Sequence, residues 1–177
     1  TSIPFTVSSC GSSSEDVIPS NALPYGVYEI TNGILSGFKP GINLSVYDDG
    51  KCDTMLIPDE VTVVEHSAFL RKIPPFISKL VFSEKSKLTR INYCAFMESS
   101  SLTCVDLSNC NNLEFLASQV FESCSALTSV ILPNISSTIT IRGWLFENCS
   151  KLNNIKWNSW KGPEKTIIQE NMFQGVA

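Results

Sequence analysis

One histidine stands in the chain, His66 in Glu65-His66-Ser67, and any Ser-His-acid or Cys-His chemistry would have to use it. Histidine is the side chain whose ordinary pKa suits proton transfer near neutral pH. Its position, however, is one of a periodic set held mostly by polar residues or Gly, which marks His66 as an exposed repeat residue rather than a base. The acid pairs Asp48-Asp49 and Asp59-Glu60 could serve as glycosidase carboxylates, but they sit beside Gly50 and Pro58. Turn formation accounts for them more simply. Gly33, Gly37 and Gly41 have the spacing of turns, not of a loop that cradles phosphate. Seven cysteines leave at least one without an intrachain partner. Without a Cys-x2-Cys pair, and with a single His, the chain is poorly furnished for a metal. The expectation is a protein with no catalytic residue, no cofactor and no metal site.

What the residues do carry is a period. Five times an aliphatic residue is followed five positions later by Phe: Val64 to Phe69, Ile91 to Phe96, Leu116 to Phe121, Ile141 to Phe146 and Ile168 to Phe173. Successive Phe residues are 27, 25, 25 and 27 positions apart. Nine positions after Phe96, Phe121 and Phe146 begin apolar-x-apolar units at Val105, Val130 and Ile155, each preceded three residues earlier by Leu. The first full repeat fits with two residues inserted at Pro74-Pro75, its unit being Leu80-Val81-Phe82. A period in this range specifies a solenoid of stacked coils. The expected fold is a right-handed parallel solenoid of about five coils. Its short strands stack into a parallel sheet on one face, and the aliphatic-x4-Phe segments form a short-strand or irregular wall on the other.

The segment Cys124-Ser125-Ala126-Leu127-Thr128-Ser129-Val130-Ile131-Leu132-Pro133, with Ile57 through Phe69 and Ile91 through Phe96, resembles the BspA-type leucine-rich repeat of bacterial and protozoan surface antigens. The resemblance covers about residues 55 to 177. Its motif residues are core residues, so it speaks to fold. The Gly usual after the aliphatic position is replaced by Glu65, Asn92, Ala117, Arg142 and Gln169, which marks the repeats as divergent.

Ahead of the repeats, residues 1–24 are rich in Ser and Pro and read as a lead segment, and 25–57 as a β-rich N-terminal cap. Asn32-Gly33 and Asp49-Gly50 are hairpin turn signals, the second expected to join strands at Asn43–Tyr47 and Asp53–Ile57. The array then runs from 58 to 177. The start at Thr1 without a leader, and the end soon after Phe173, read as a trimmed piece of a longer chain. Cys124 and Cys149, three residues after Phe in adjacent coils, are expected as buried thiols, and Cys10 and Cys52 as possible partners in a staple. Three Asn-x-Ser sequons, at Asn43, Asn134 and Asn148, occur about as often as chance gives in a chain so rich in Asn, Ser and Thr.

The net charge of −4 argues against a dedicated nucleic-acid binder, and no apolar stretch is long enough to span a membrane. Basic residues cluster from Arg71 to Arg90, which suits an anionic ligand. By strand alternation the sheet face presents Lys79, Val81 and Ser83, Cys104, Asp106 and Ser108, Ser129, Ile131 and Pro133, and Asn154, Lys156 and Asn158. The opposite wall presents His66, Tyr93, Gln119 and Trp144, while Trp157 falls at an inward position. Candidate ligand contacts are therefore Val81, Asp106, Ile131 and Lys156 on the sheet, Tyr93 and Trp144 on the wall, and Lys85, Lys87 and Arg90 in the basic run. The family resemblance implies a binding module at the cell surface or outside the cell, an adhesin or antigen recognising a protein or glycan. A spacer that displays another domain is the alternative.

Overall fold

The computed structural model describes residues 18–133, 139–157, 167–168, 173 and 175–176. Its strands form two sheets that run the length of a solenoid. The long-strand sheet contains β3 (Thr54–Ile57), β5 (Lys79–Phe82), β7 (Cys104–Asp106), β9 (Ser129–Leu132) and β11 (Asn154–Trp157), all parallel. The second sheet contains β1 (Tyr28–Thr31), β2 (Ile34–Phe38), β4 (Val63–Val64), β6 (Arg90–Ile91), β8 (Phe115–Leu116), β10 (Thr140–Ile141) and β12 (Ile167–Ile168). Only its β1–β2 pair is antiparallel, closed by Asn32-Gly33 with positive φ at both residues. That geometry is the type I′ hairpin which the Asn-Gly pair favours.

Register follows from the period. Leu80, Val105 and Val130 pair in one inward column and are fully buried, while Val81 pairs with Asp106 and Asp106 with Ile131 in the outward one. A slip of one residue would exchange the two columns, so the apolar alternation specifies the pairing. Threonine hydroxyls reinforce it from outside the core: Thr103 bonds the Ser78 carbonyl, Thr128 that of Thr103, and Thr89 that of Thr62.

The wall is not a strand. In coil after coil the residues two before and two after Phe have positive φ: Ser67 and Arg71, Cys94 and Glu98, Gln119 and Ser123, Trp144 and Asn148. Backbone N–H groups there alternate between turns within the coil and bonds to the next. Ser67, Phe69 and Arg71 donate to Tyr93, Ala95 and Met97 of the following coil, while Ala68, Leu70 and Lys72 donate back to Glu65, Ser67 and Phe69. A left-handed conformation costs a non-Gly residue roughly 1–2 kcal/mol. The cross-coil bonds and the buried Phe offset that cost.

The Phe residues form the axis of the core. Phe69, Phe96, Phe121 and Phe146 are buried with nearly parallel rings at centroid spacings of 5.4, 5.5 and 5.7 Å, and Phe173 continues the stack at 6.0 Å. Ala68, Ala95, Val120 and Leu145 fill the space beside them, as their inward assignment requires. Phe38 closes the stack edge-on to Phe69 at 4.9 Å. It gets there through Gly37, where a Cβ would stand 2.7 Å from the Ala68 carbonyl oxygen.

The structure corrects three details of the sequence reading. Leu44–Tyr47 is a 3-10 turn rather than a strand, and β3 joins the long sheet in parallel instead of forming a second hairpin. Asn43 caps that turn through the Ser45 N–H, and the Asp49 carboxylate accepts from Lys51 and Cys52 N–H, so local side-chain bonds displace the hairpin. Ser83 and Pro133, expected to face outward, are buried: β5 and β9 end at Phe82 and Leu132, and strand alternation lapses there. The two sheets begin under cover, with β1 flanking β2 and Asn21–Leu23 bonding Asp53 and Thr54. The lead segment through residue 17, Cys10 of the suggested staple, Met172, and the Trp157 side chain lie outside the described residues.

Two outcomes follow. Truncating Phe96, Phe121 or Phe146 to Ala should cost about 3–5 kcal/mol in equilibrium denaturation and lower the slope of the transition if coils fray separately. A loss below about 1 kcal/mol would mean that the column does not hold the array. Tyr28 is fully buried, stacked on Phe38, and its hydroxyl has no hydrogen-bond partner among the described residues. Burial drives its pKa upward. Tyr28→Phe should therefore leave the melting temperature unchanged or raise it, because an unpaired buried hydroxyl disfavours the folded state. A fall of several degrees would show that the hydroxyl is bonded.

Candidate functional site

Cross-coil pairing brings the candidate residues onto three separate places. Val81, Asp106, Ile131 and Lys156 form one column on the outer face of the long sheet, with Leu56 ahead of them. The first three are half-buried and Lys156 is exposed. Asp106 turns its carboxylate to the Ser108 N–H at 2.8 Å, so it closes the strand end as well as facing out. In the next column Lys79 bonds Asp53 at 2.8 Å. Burial opposes charge on Asp53, but bonds from Lys79, Thr54 and Asn21 hold its carboxyl below the usual range.

The basic run is less basic than it reads. Arg71 meets Glu98 of the next coil through two nitrogens, one at 2.6 Å, which lowers the Glu98 pKa and raises that of Arg71. Lys79 is paired as described. Lys85 and Lys87 remain exposed on the turn between β5 and β6, away from both candidate faces. Arg90 opens β6 and extends over the Phe115 ring, its guanidinium carbon 4.4 Å from the centroid.

Tyr93 and Trp144 are on the wall, 43% and 40% exposed, in the second and fourth coils after the cap. These are large values for aromatic side chains beside the buried Phe69, Phe96, Phe121 and Phe146. Between them Gln119 bonds Glu122 at 2.6 Å. His66 is also exposed there, its Nδ1 2.9 Å from the Ser67 hydroxyl. Among the described residues no carboxylate bonds its ring, and no group of three or more His, Cys, Asp or Glu has the geometry of a metal site.

Sequence reasoning missed Phe115 and Arg142. Arg142 is exposed and its guanidinium carbon is 5.9 Å from the Phe115 centroid, so two arginines from different coils flank one ring. The signal was available, since Arg90 and Phe115 each precede the repeat aliphatic residue and therefore pair in register.

Cys124 and Cys149 are fully buried beside the Phe column and bond the Phe96 and Phe121 carbonyl oxygens at 3.4 and 3.0 Å. Ser99, one coil earlier, places its hydroxyl on the Phe96 carbonyl as well. The neighbouring Cys149 sulfur and burial hold the Cys124 thiol well above its ordinary pKa. Burial pushes Cys110 up to about 12 and Cys104 up to about 11.

Two sheets of stacked parallel strands, a continuous Phe column and faces of in-register side chains define a repeat solenoid of about five turns that offers surfaces for interaction. Residues 41–177 match the BspA type leucine rich repeat region in six copies, and the chain belongs to that family. Among solved structures, the leucine rich repeat protein of T. pallidum is 17% identical over 76% of this chain and 70% of that one, with a TM-score of 0.52. A leucine rich cell surface protein of Faecalibacterium prausnitzii A2-165 is 18% identical over 67% of this chain and 41% of that one, with a TM-score of 0.29. Comparison with curated proteins gave no match. No helix among the described residues is long and apolar enough to cross a membrane.

The buried thiols are testable. Cys124 and Cys149 should resist a maleimide reagent in the native protein and react only on unfolding, at least 100-fold more slowly than a free thiol, as local opening demands (about 3 kcal/mol). Labelling of both within minutes would place them at the surface.

Proposed function

We propose that the chain is a non-catalytic binding module of a surface-displayed or secreted protein, an adhesin or antigen that recognises a protein or glycan ligand. The observation that carries this reading is the register of outward side chains across adjacent coils, Leu56–Val81–Asp106–Ile131–Lys156, on one face, and the opposite wall adds two exposed aromatics, Tyr93 and Trp144. Side chains mounted on paired backbone lose little freedom on binding, so more of the contact energy appears as affinity. Aromatic anchors such as Trp are enriched among residues that dominate interfaces. Family membership supports an interaction role, and surface placement rests on the resemblance of the repeats to those of surface antigens.

The test is a screen of the chain against matrix proteins and a glycan array, followed by Trp144→Ala and Ile131→Glu with the ligand found. One of the two should weaken binding by more than about 1 kcal/mol, the threshold of a contributing contact, and thereby choose the face. If neither changes affinity by about 0.5 kcal/mol, the array is a spacer that displays another domain.

A further inference from the structure

The short-sheet wall carries a feature that the binding reading alone does not require. Arg90 and Arg142 project from the second and fourth coils and both approach the Phe115 ring of the third, at 4.4 and 5.9 Å. Both are exposed, and neither forms an ion pair with any described residue. Glu65 and Glu114, the carboxylates that flank this column in sequence, bond neither of them. Arg71 and Lys79, by contrast, are tied to Glu98 and Asp53. In a chain of net charge −4, two guanidiniums from different coils thus converge on one aromatic ring. A guanidinium held over a ring face can still turn its N–H edge to an oxyanion, and Arg90 lies over Phe115 with Arg142 close by.

Beside this cluster the same wall exposes Tyr93, three residues after Arg90, and Trp144, two residues after Arg142. Arginine edges suit carboxylate and sulfate groups. Exposed aromatic faces suit the apolar C–H faces of sugar rings. Coils repeat at 5.4–5.7 Å along the Phe column. An extended hexose chain advances by roughly one such spacing per sugar, comparable to the ~5 Å between paired strands. Acidic groups on alternate sugars would then meet Arg90 and Arg142. An acidic peptide would satisfy the arginines but would make no use of the two flat aromatic faces.

We propose that the wall around Arg90, Phe115 and Arg142, with Tyr93 and Trp144 beside it, binds an acidic polysaccharide running along the solenoid axis. This deepens the binding-module reading by naming the ligand class and the face. The test is titration of the whole chain with heparin octasaccharide, neutral dextran octamer and poly-glutamate of equal charge, at low and physiological salt. Heparin should bind more tightly at low salt, because the contacts are exposed, and dextran and poly-glutamate at least about tenfold more weakly. Arg90→Gln/Arg142→Gln keeps part of each stem on Phe115 and should reduce heparin affinity by about tenfold or more, as loss of charge-assisted bonds predicts. Unchanged affinity in that variant overturns the proposal, as does equal binding of poly-glutamate, which would point to an acidic protein. Should the variant fold poorly, titration of the wild-type chain decides. The arginine Nε–H and Trp144 indole resonances must shift with heparin, and their silence overturns it. Failure here with an intact response to a protein ligand removes only this proposal and leaves the binding module standing.

Discussion

Everything in this protein depends on coils stacking in register. A single coil of about 25 residues cannot enclose a core, since its inward residues would face water above and below. Stacked, each coil supplies the floor for the next. Phe69, Phe96, Phe121 and Phe146 become fully buried because each ring lies between two others. The same stacking satisfies the backbone. The wall has no continuous strand, yet its N–H groups find carbonyls in the next coil through residues held at positive φ. Ser99, Cys124 and Cys149 complete this by bonding Phe carbonyls from inside.

The outer faces inherit their order from this core. A residue's place on the surface is set by its position in the repeat and by which coil it occupies, so residues 25 apart in sequence become neighbours. That is how Arg71 finds Glu98, how Arg90 finds Phe115, and how Val81, Asp106 and Ile131 form a column. Inward positions change only among small, aliphatic or thiol side chains, such as Ala68, Ala95, Val120 and Leu145, whereas outward positions vary freely. Trp144 shows the latitude. It occupies a site held by Ser67, Cys94 and Gln119 in other coils, in the same left-handed conformation.

The parts of the fold legible in the sequence were those governed by burial. The five-residue step from aliphatic to Phe located the column, and the apolar-x-apolar units located β5, β7, β9 and β11. What escaped was decided by local polar bonds or by pairs between coils. The Asp49-Gly50 signal was genuine for a turn, but Asn43 and Asp49 spent their oxygens on nearby N–H groups and made a 3-10 segment. Ser83 and Pro133 were misplaced because alternation was carried one residue beyond the strand. Of the candidate surface residues, the long-sheet column emerged directly from strand alternation. Within the basic run, Arg71 and Lys79 take their partners Glu98 and Asp53 from a coil away, and charge counted along the chain does not show such pairs.

The central claim is that the coils form one array whose faces are held in register by a shared core. Native-state hydrogen exchange tests it most directly, because the amides of Phe69, Phe96 and Phe121 each donate to the next coil, at the Ala95, Val120 and Leu145 carbonyls respectively. If the claim holds, these three amides open together, with similar protection close to the global stability and the same denaturant dependence. Independent exchange, with any one of them opening at a much smaller free energy than the others, would show separate coils and contradict the account.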